Sequence, residues 1–245
     1  MIHADAVGNT FLIVEERLPL KDRSAWILAH HVQEDGVIWV DEDASGFFMD
    51  YYNRDGSRAS LCGNGSRSVI CYLLHQGRIK ACEWVELHTN AGTLLGMAIS
   101  KGEAMVSMPA VEYISSVKCL GYSGHLLKVG VPHAVFEVSR SDMESAPLEA
   151  CFKSLSTHPA LPQGANINFF SVEDDKVYNR TFERGVSAET LSCGTGSVAV
   201  AWVLHSQSQE QSKNYMIQTK GGLLEVLVND RQFFLKGKVE LHELV

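Results

Sequence analysis

The stretch LCGNGSRSVICYLL (Leu61–Leu74) recurs later in the chain as SCGTGSVAVAWVL (Ser192–Leu204). Cys62 aligns with Cys193, Gly63 with Gly194, Gly65 with Gly196, Ser66 with Ser197 and Val69 with Val200, at a constant offset of 131 positions. A second match follows in the same order. HTNAGTLLGMAI (His88–Ile99) resembles QTKGGLLEVLV (Gln218–Val228), with Thr89 on Thr219 and Gly92 on Gly222 at an offset of 130. Upstream of each Cys-Gly block lies a strand-like run, FFMDYYN (Phe47–Asn53) and VYNRTFE (Val177–Glu183). Matched segments in one order, at nearly one offset, imply an internal duplication. Two similar domains are therefore expected, spanning 1–117 and 118–245, with the division near Ser115–Gly121. The last strand is a candidate to pack back on the first domain.

Around these blocks the chain reads as strands with few helices. Apolar runs such as Phe11–Val14, Val37–Val40, Trp84–Leu87, Ala134–Val138, Asn168–Val172 and Leu224–Val228 are short and separated by turn residues such as Asp55-Gly56. Helical patterns are expected over Asp22–Gln33, Gly65–His75 and Gly196–His205. The last two are apolar on nearly every side, which marks a buried helix. The expected fold is α+β, built twice, each half a curved mixed sheet wrapped around a buried central helix. The active site is expected in the cleft between the halves.

The 245 residues are 45% hydrophobic and 20% charged, enough apolar material for packed cores and too much for general disorder. The net charge of −8 argues against a nucleic-acid partner. No apolar run reaches the roughly 18 residues of a membrane helix, and MIHADAVGNTF is not the pattern of a secretory signal. No two of the six cysteines form a CxxC pair, so neither a structural zinc site nor a CxxC redox motif is expected. Scattered cysteines without a secretory signal suit a reducing, cytoplasmic setting. No dinucleotide loop, phosphate loop or HExxH spacing occurs, and no metal site is expected.

In both blocks a cysteine stands directly before glycines that open a helix. Glycine allows a ligand to approach the backbone closely. A helix N-terminus presents N–H groups and partial positive charge, which favours a bound carboxylate and lowers the pKa of a neighbouring thiol. Two such thiols about one α-carbon could exchange protons on its two faces, one as base and the other as acid, inverting the centre. Either cysteine alone would read as a small buried residue. Cys71, Cys82, Cys119 and Cys151 keep that ordinary reading.

These residues resemble the diaminopimelate epimerase family, a group of cofactor-independent two-cysteine racemases and epimerases. The resemblance runs nearly end to end, through Gly8–Glu16, Tyr51–Arg67, Gly130–Val135, Gly164–Phe169 and Arg180–Ser197. It implies an isomerase that converts LL-diaminopimelate to the meso form in lysine and peptidoglycan precursor biosynthesis. It implies no cofactor, pyridoxal phosphate included, a small amino-acid substrate, a cytoplasmic location and a homodimer. Cys62 and Cys193 match the catalytic acid/base pair. His133 and Glu183 match residues that tune those thiols. Gly63-Asn64 and Gly194-Thr195 match the donors that hold the carboxylate of the inverting centre. Asn9, Asn53, Asn166, Glu183 and Arg184 match substrate-gripping positions.

The chain departs from many members of that family at four places. The segment from Glu183 to Thr190 carries one extra residue. Val131 stands in place of an asparagine, Gly36 in place of a glutamine, and Thr10 in place of an aspartate. These changes cluster where the distal end of a substrate would lie, so looser distal recognition is one expectation. The competing readings are a racemase of another amino acid such as glutamate, a non-catalytic small-molecule binder on the same fold, and a thiol redox protein. The first block has CGNG rather than the CGHG usual in proline racemases, which argues against proline.

Overall fold

The computed structural model describes residues 1–156, 161 and 164–244. Contacts divide the chain into two compact units, Met1–Ser107 with Lys236–Val245, and Met108–Leu235. The first unit runs β1 (Ile2–Asp5), β2 (Thr10–Val14), α1 (Leu20–His30), β3 (Gly36–Asp43), β4 (Gly46–Asn53), β5 (Arg58–Ala59), α2 (Gly63–His75), β6 (Trp84–Thr89), β7 (Gly92–Ser100) and β8 (Glu103–Ser107). Strand β2 pairs in parallel with β3, and β4 in parallel with β6; β3–β4, β6–β7 and β7–β8 are antiparallel.

Phe11–Val14 of β2 and Val37–Val40 of β3 read as unbroken apolar runs because both faces of the sheet are covered there. Leu12, Val14, Val37, Trp39 and Tyr52 face outward, where Ile27 of α1 and Val32 pack on them. On the inner face Phe11, Ile38 and Met49 approach α2 at Gly65; an added Cβ there would meet Met49 Cε at 2.9 Å. Gly96 of β7 likewise makes room for Ile70 of α2. Helix α2 is buried from Gly63 to Leu73; its second half is apolar, while Asn64, Ser66, Arg67 and Ser68 of its first half are buried polar residues.

The second unit runs β9 (Glu112–Cys119), β10 (Tyr122–Val129), β11 (Val131–Glu137), α3 (Leu148–Leu155), β12 (Asn166–Glu173), β13 (Lys176–Glu183), β14 (Ala188–Thr190), α4 (Gly194–Ser206), β15 (Ser212–Thr219) and β16 (Gly222–Asn229). Strand β17 (Gln232–Lys238) leaves it, and β18 (Glu240–Glu243) belongs to the first unit, where it pairs with β1, Ile2 opposite Glu243. The parallel pairs recur as β11–β12 and β13–β15. Helix α3 takes the outer-face role of α1, setting Leu148, Cys151 and Leu155 against Phe136, Ile167, Phe169 and Phe182. Helix α4 takes the role of α2, with Val198–Ala201 fully buried. The duplication thus covers a whole sequence of elements: strand, outer helix, two strands, short strand, inner helix, hairpin.

The fold is the expected α+β architecture made twice. Several elements were not expected from the sequence, among them β1, β5, β9, β10, β14 and α3. Ser115–Gly121, read as the division between domains, holds the end of β9 and the turn of a β9–β10 hairpin, with Leu120 and Gly121 both at positive φ. Position 117/118 falls inside β9, and the compact units divide at Ser107/Met108. Among the described residues no helix is long and apolar enough to cross a membrane.

Candidate active site

Cys62 is the N-cap of α2 and Cys193 the N-cap of α4, in nearly the same extended conformation: φ −141°, ψ 113° and φ −127°, ψ 111°. Each cap is secured alike. The hydroxyl of Ser66 donates to Cys62 O at 2.9 Å, and that of Ser197 to Cys193 O at 3.0 Å. In the first unit Gly65 N–H also donates to Cys62 Sγ at 3.4 Å. A thiol at this place meets the positive end of the helix, where the thiolate form is favoured.

In the first unit the Asn9 carboxamide gathers three groups. Its Oδ1 lies 3.8 Å from Cys62 Sγ and accepts from Asn64 Nδ2 at 3.3 Å. Its Nδ2 donates to Asp35 Oδ2 at 3.1 Å. The same Asp35 oxygen accepts from Thr10 N–H at 2.9 Å and Thr10 Oγ1 at 3.3 Å, while Arg54 Nη2 lies 3.2 Å from Oδ1. Asn53 accepts from Tyr51 Oη at 3.1 Å and donates to Ser57 Oγ at 2.9 Å. At Gly36 a Cβ would lie 2.4 Å from Tyr51 Cε2 and 2.7 Å from Tyr52 O, so the Tyr51 ring fills the room a side chain at 36 would need. Beneath the helix start, Arg67 is wholly buried. Its Nη2 donates to Asn64 Oδ1 at 2.8 Å and its Nη1 to Lys238 O at 2.9 Å; burial lowers its pKa to about 10.

In the second unit Thr195 Oγ1 lies 3.5 Å from Cys193 Sγ and 3.0 Å from His133 Nε2. His133 is fully buried, and that burial pushes its pKa down to about 3, helped by the Arg184 charge and opposed by a bond from Asn168. The ring is therefore neutral at ordinary pH. Asn166 sits opposite His133 in the sheet register, and its Oδ1 accepts from Arg184 N–H at 3.0 Å. Glu183 Oε1 accepts from Thr190 Oγ1 at 2.7 Å. The turn with the extra residue places Ser187 at φ 51°. It delivers Glu189 to Arg180, which grips it through two bonds at 2.7 and 2.8 Å, with Lys220 Nζ at 2.9 Å.

Each unit thus gathers sequence-expected residues about its own cysteine: Asn9 and Asn64 about Cys62, Thr195 and His133 about Cys193. Sequence reasoning missed Asp35, Arg67, Asn168 and Arg180. Asp35-Gly36 has the look of a turn, and Asn168 lies within an apolar strand run. The other cysteines carry no comparable setting; burial pushes the Cys71 thiol up to about 12 and raises that of Cys151 as well.

Comparisons with known proteins agree with this arrangement. The diaminopimelate epimerase family profile matches residues 4–114 and 125–242. The chain is 38% identical to the diaminopimelate epimerase of Thermotoga maritima over 238 residues, 96% of either chain. It is 30% identical to that of Archaeoglobus fulgidus over 256 residues, covering 94% of this chain and 89% of the relative. In fold it is similar to a phenazine biosynthesis protein of the PhzF family from Bacillus anthracis, with TM-score 0.78, 17% identity and coverage of 100% and 98%. It is also similar to a hydroxyproline epimerase from Agrobacterium vitis, with TM-score 0.71, 16% identity and coverage of 99% and 90%. With its two cysteine-capped helices and these full-length matches, the chain belongs to the diaminopimelate epimerase family.

Proposed function

We propose that this protein is an isomerase that inverts one α-carbon of LL-diaminopimelate to give the meso form, without pyridoxal phosphate. The observation that carries the reading is the repeated cap: a cysteine at the N-terminus of a buried helix in each unit, followed at once by glycine. The α-proton of an amino acid is weakly acidic, and its removal leaves charge on the carbon and its carboxylate. First-turn N–H groups point out of a helix N-terminus, and those of Gly63, Asn64, Gly194 and Thr195 would hold that carboxylate as its charge grows. One cysteine thiolate takes the proton from one face; the other thiol gives a proton to the opposite face. The thiolate and thiol have then exchanged roles, so the reverse reaction uses the same groups.

In this reading Asn9, Asn53, Asn166, Glu183 and Arg184 grip the distal amine and carboxylate, a guanidinium being suited to two parallel bonds with a carboxylate. His133 and Glu183 tune the thiols. The protein works as a cytoplasmic homodimer in the supply of lysine and peptidoglycan precursors.

The test is proton exchange in deuterated water under reducing conditions, with LL-diaminopimelate and separately with L-glutamate. Wild type should incorporate α-deuterium with inversion of the diamino diacid, and Cys62→Ala and Cys193→Ala should each abolish inversion. Inversion surviving either substitution would overturn the two-thiol mechanism. Faster exchange with glutamate would overturn the substrate.

A further inference from the structure

The two units place different chemistry at equivalent positions behind their cysteines. The strand register makes the equivalence explicit. In the first unit Phe11 lies opposite Gly36, and Ile38 opposite Tyr51. In the second His133 lies opposite Asn166, and Asn168 opposite Thr181. Phe11 thus corresponds to His133, Ile38 to Asn168, and Met49 to Asn179. The glycines of the two helix starts record the same contrast. An added Cβ on Gly65 would meet Met49, Ile38 and Phe11, whereas one on Gly196 would meet Asn168 Oδ1 at 2.4 Å and Thr181 Oγ1 at 3.1 Å.

In the second unit these polar residues are buried and joined end to end. Asn179 Nδ2 donates to Thr181 Oγ1 at 3.3 Å, and Thr181 Oγ1 donates to Asn168 Oδ1 at 3.2 Å. Asn168 Nδ2 then faces His133 Nδ1 at 3.3 Å. An amide NH₂ can only donate, so Nδ1 must accept, and a neutral imidazole then carries its one proton on Nε2. Nε2–H then donates to Thr195 Oγ1, and the Thr195 hydroxyl hydrogen is free to point at Cys193 Sγ, 3.5 Å away. With that tautomer every bond in the chain can run one way and end on the thiol.

We propose that Asn168 is a positioning residue for the inversion: it fixes the His133 tautomer so that Thr195 is held as a hydrogen-bond donor to Cys193. A donor of this kind favours Cys193 as thiolate, the base form, and does so without a charge. The catalytic part of the proposal rests on the two-thiol reading above; the tautomer does not.

The test has two arms. The ¹⁵N spectrum of His133 in the wild-type protein, taken near neutral pH without substrate, should show Nε2 protonated and Nδ1 bare. A proton on Nδ1 would overturn the proposal, whatever the activity. For the second arm, Asn168→Leu and Thr195→Val should each lower kcat about tenfold, as expected for a lost hydrogen bond to an ionised group, with KM little changed. The double variant should lose no more than the worse single one, because both cut one chain. Additive losses, or an unaltered kcat in Asn168→Leu, would count against it. Should Asn168→Leu fail to fold, the wild-type spectrum and Thr195→Val still decide. If the wild type inverts no amino acid at all, the epimerase reading falls, and the spectrum still judges the chain of bonds.

Discussion

Arg67 lies wholly buried beneath Asn64 and donates to its side-chain oxygen at 2.8 Å. The guanidinium interacts favourably with a thiolate at Cys62, five residues earlier in the chain. The position aligned with Arg67 in the second copy is Val198. The Cys62 half therefore has a buried cation where the Cys193 half has none, and the Cys193 half has a neutral donor chain where the Cys62 half is apolar. One architecture surrounds its two cysteines with different chemistry.

Removing the cation should show in the pH–rate profile. With Arg67→Met, the acid limb of kcat/KM should move to higher pH, because a nearby thiolate loses its partner charge. Arg67→Lys keeps the charge and should move the limb less. A profile unchanged in a folded Arg67→Met protein would remove Arg67 from the account of Cys62.

Asp35 organises the Asn9 cluster through its bonds to the Asn9 side chain and to Thr10. Asp35→Ala should release Asn9 and the Thr10 backbone, raising KM for the amino-acid substrate about tenfold, the scale of one lost charge-assisted hydrogen bond. The effect on kcat should be small. Steady-state kinetics that show a fall in kcat with KM intact would place Asp35 in the chemistry instead.

His133 gives stability a defined pH dependence. Its pKa is 6.5 in ordinary surroundings and about 3 in the folded protein. Between those values the unfolded chain binds a proton that the folded chain does not, so stability rises with pH across the window and is fully present above 6.5. One pH unit below 6.5 the loss from this residue is about 1 kcal/mol. Melting temperatures measured from pH 7 to 5.5 should fall less steeply in His133→Gln than in wild type. Parallel slopes would show that His133 is accessible to protons when folded.

Much of the fold could be read from the two Cys-Gly blocks, because a helix apolar on all sides can only be buried and a repeated one implies a repeated fold. Strands with both faces covered, such as Phe11–Val14 and Asn168–Val172, also announced themselves. The β9–β10 hairpin did not: EYISSVKC is exposed along most of its length, so its alternation is faint. Helix α3 is eight residues long and enters at Pro147, too short for its periodicity to stand out. At the site, the residues in immediate reach of the thiols were legible through motif and resemblance. Asp35 and Asn168 were not, because each works through another side chain, and their partners are distant in sequence.

The discontinuity of the first unit bears on how the protein is made. Its strand β1 is made well before β18, with which it pairs along one edge. The second unit is one continuous run, Met108–Leu235, complete before synthesis reaches β18. The later half should therefore be the first to mature, while the earlier half waits with an open strand edge, the kind of surface on which nascent chains aggregate and chaperones act.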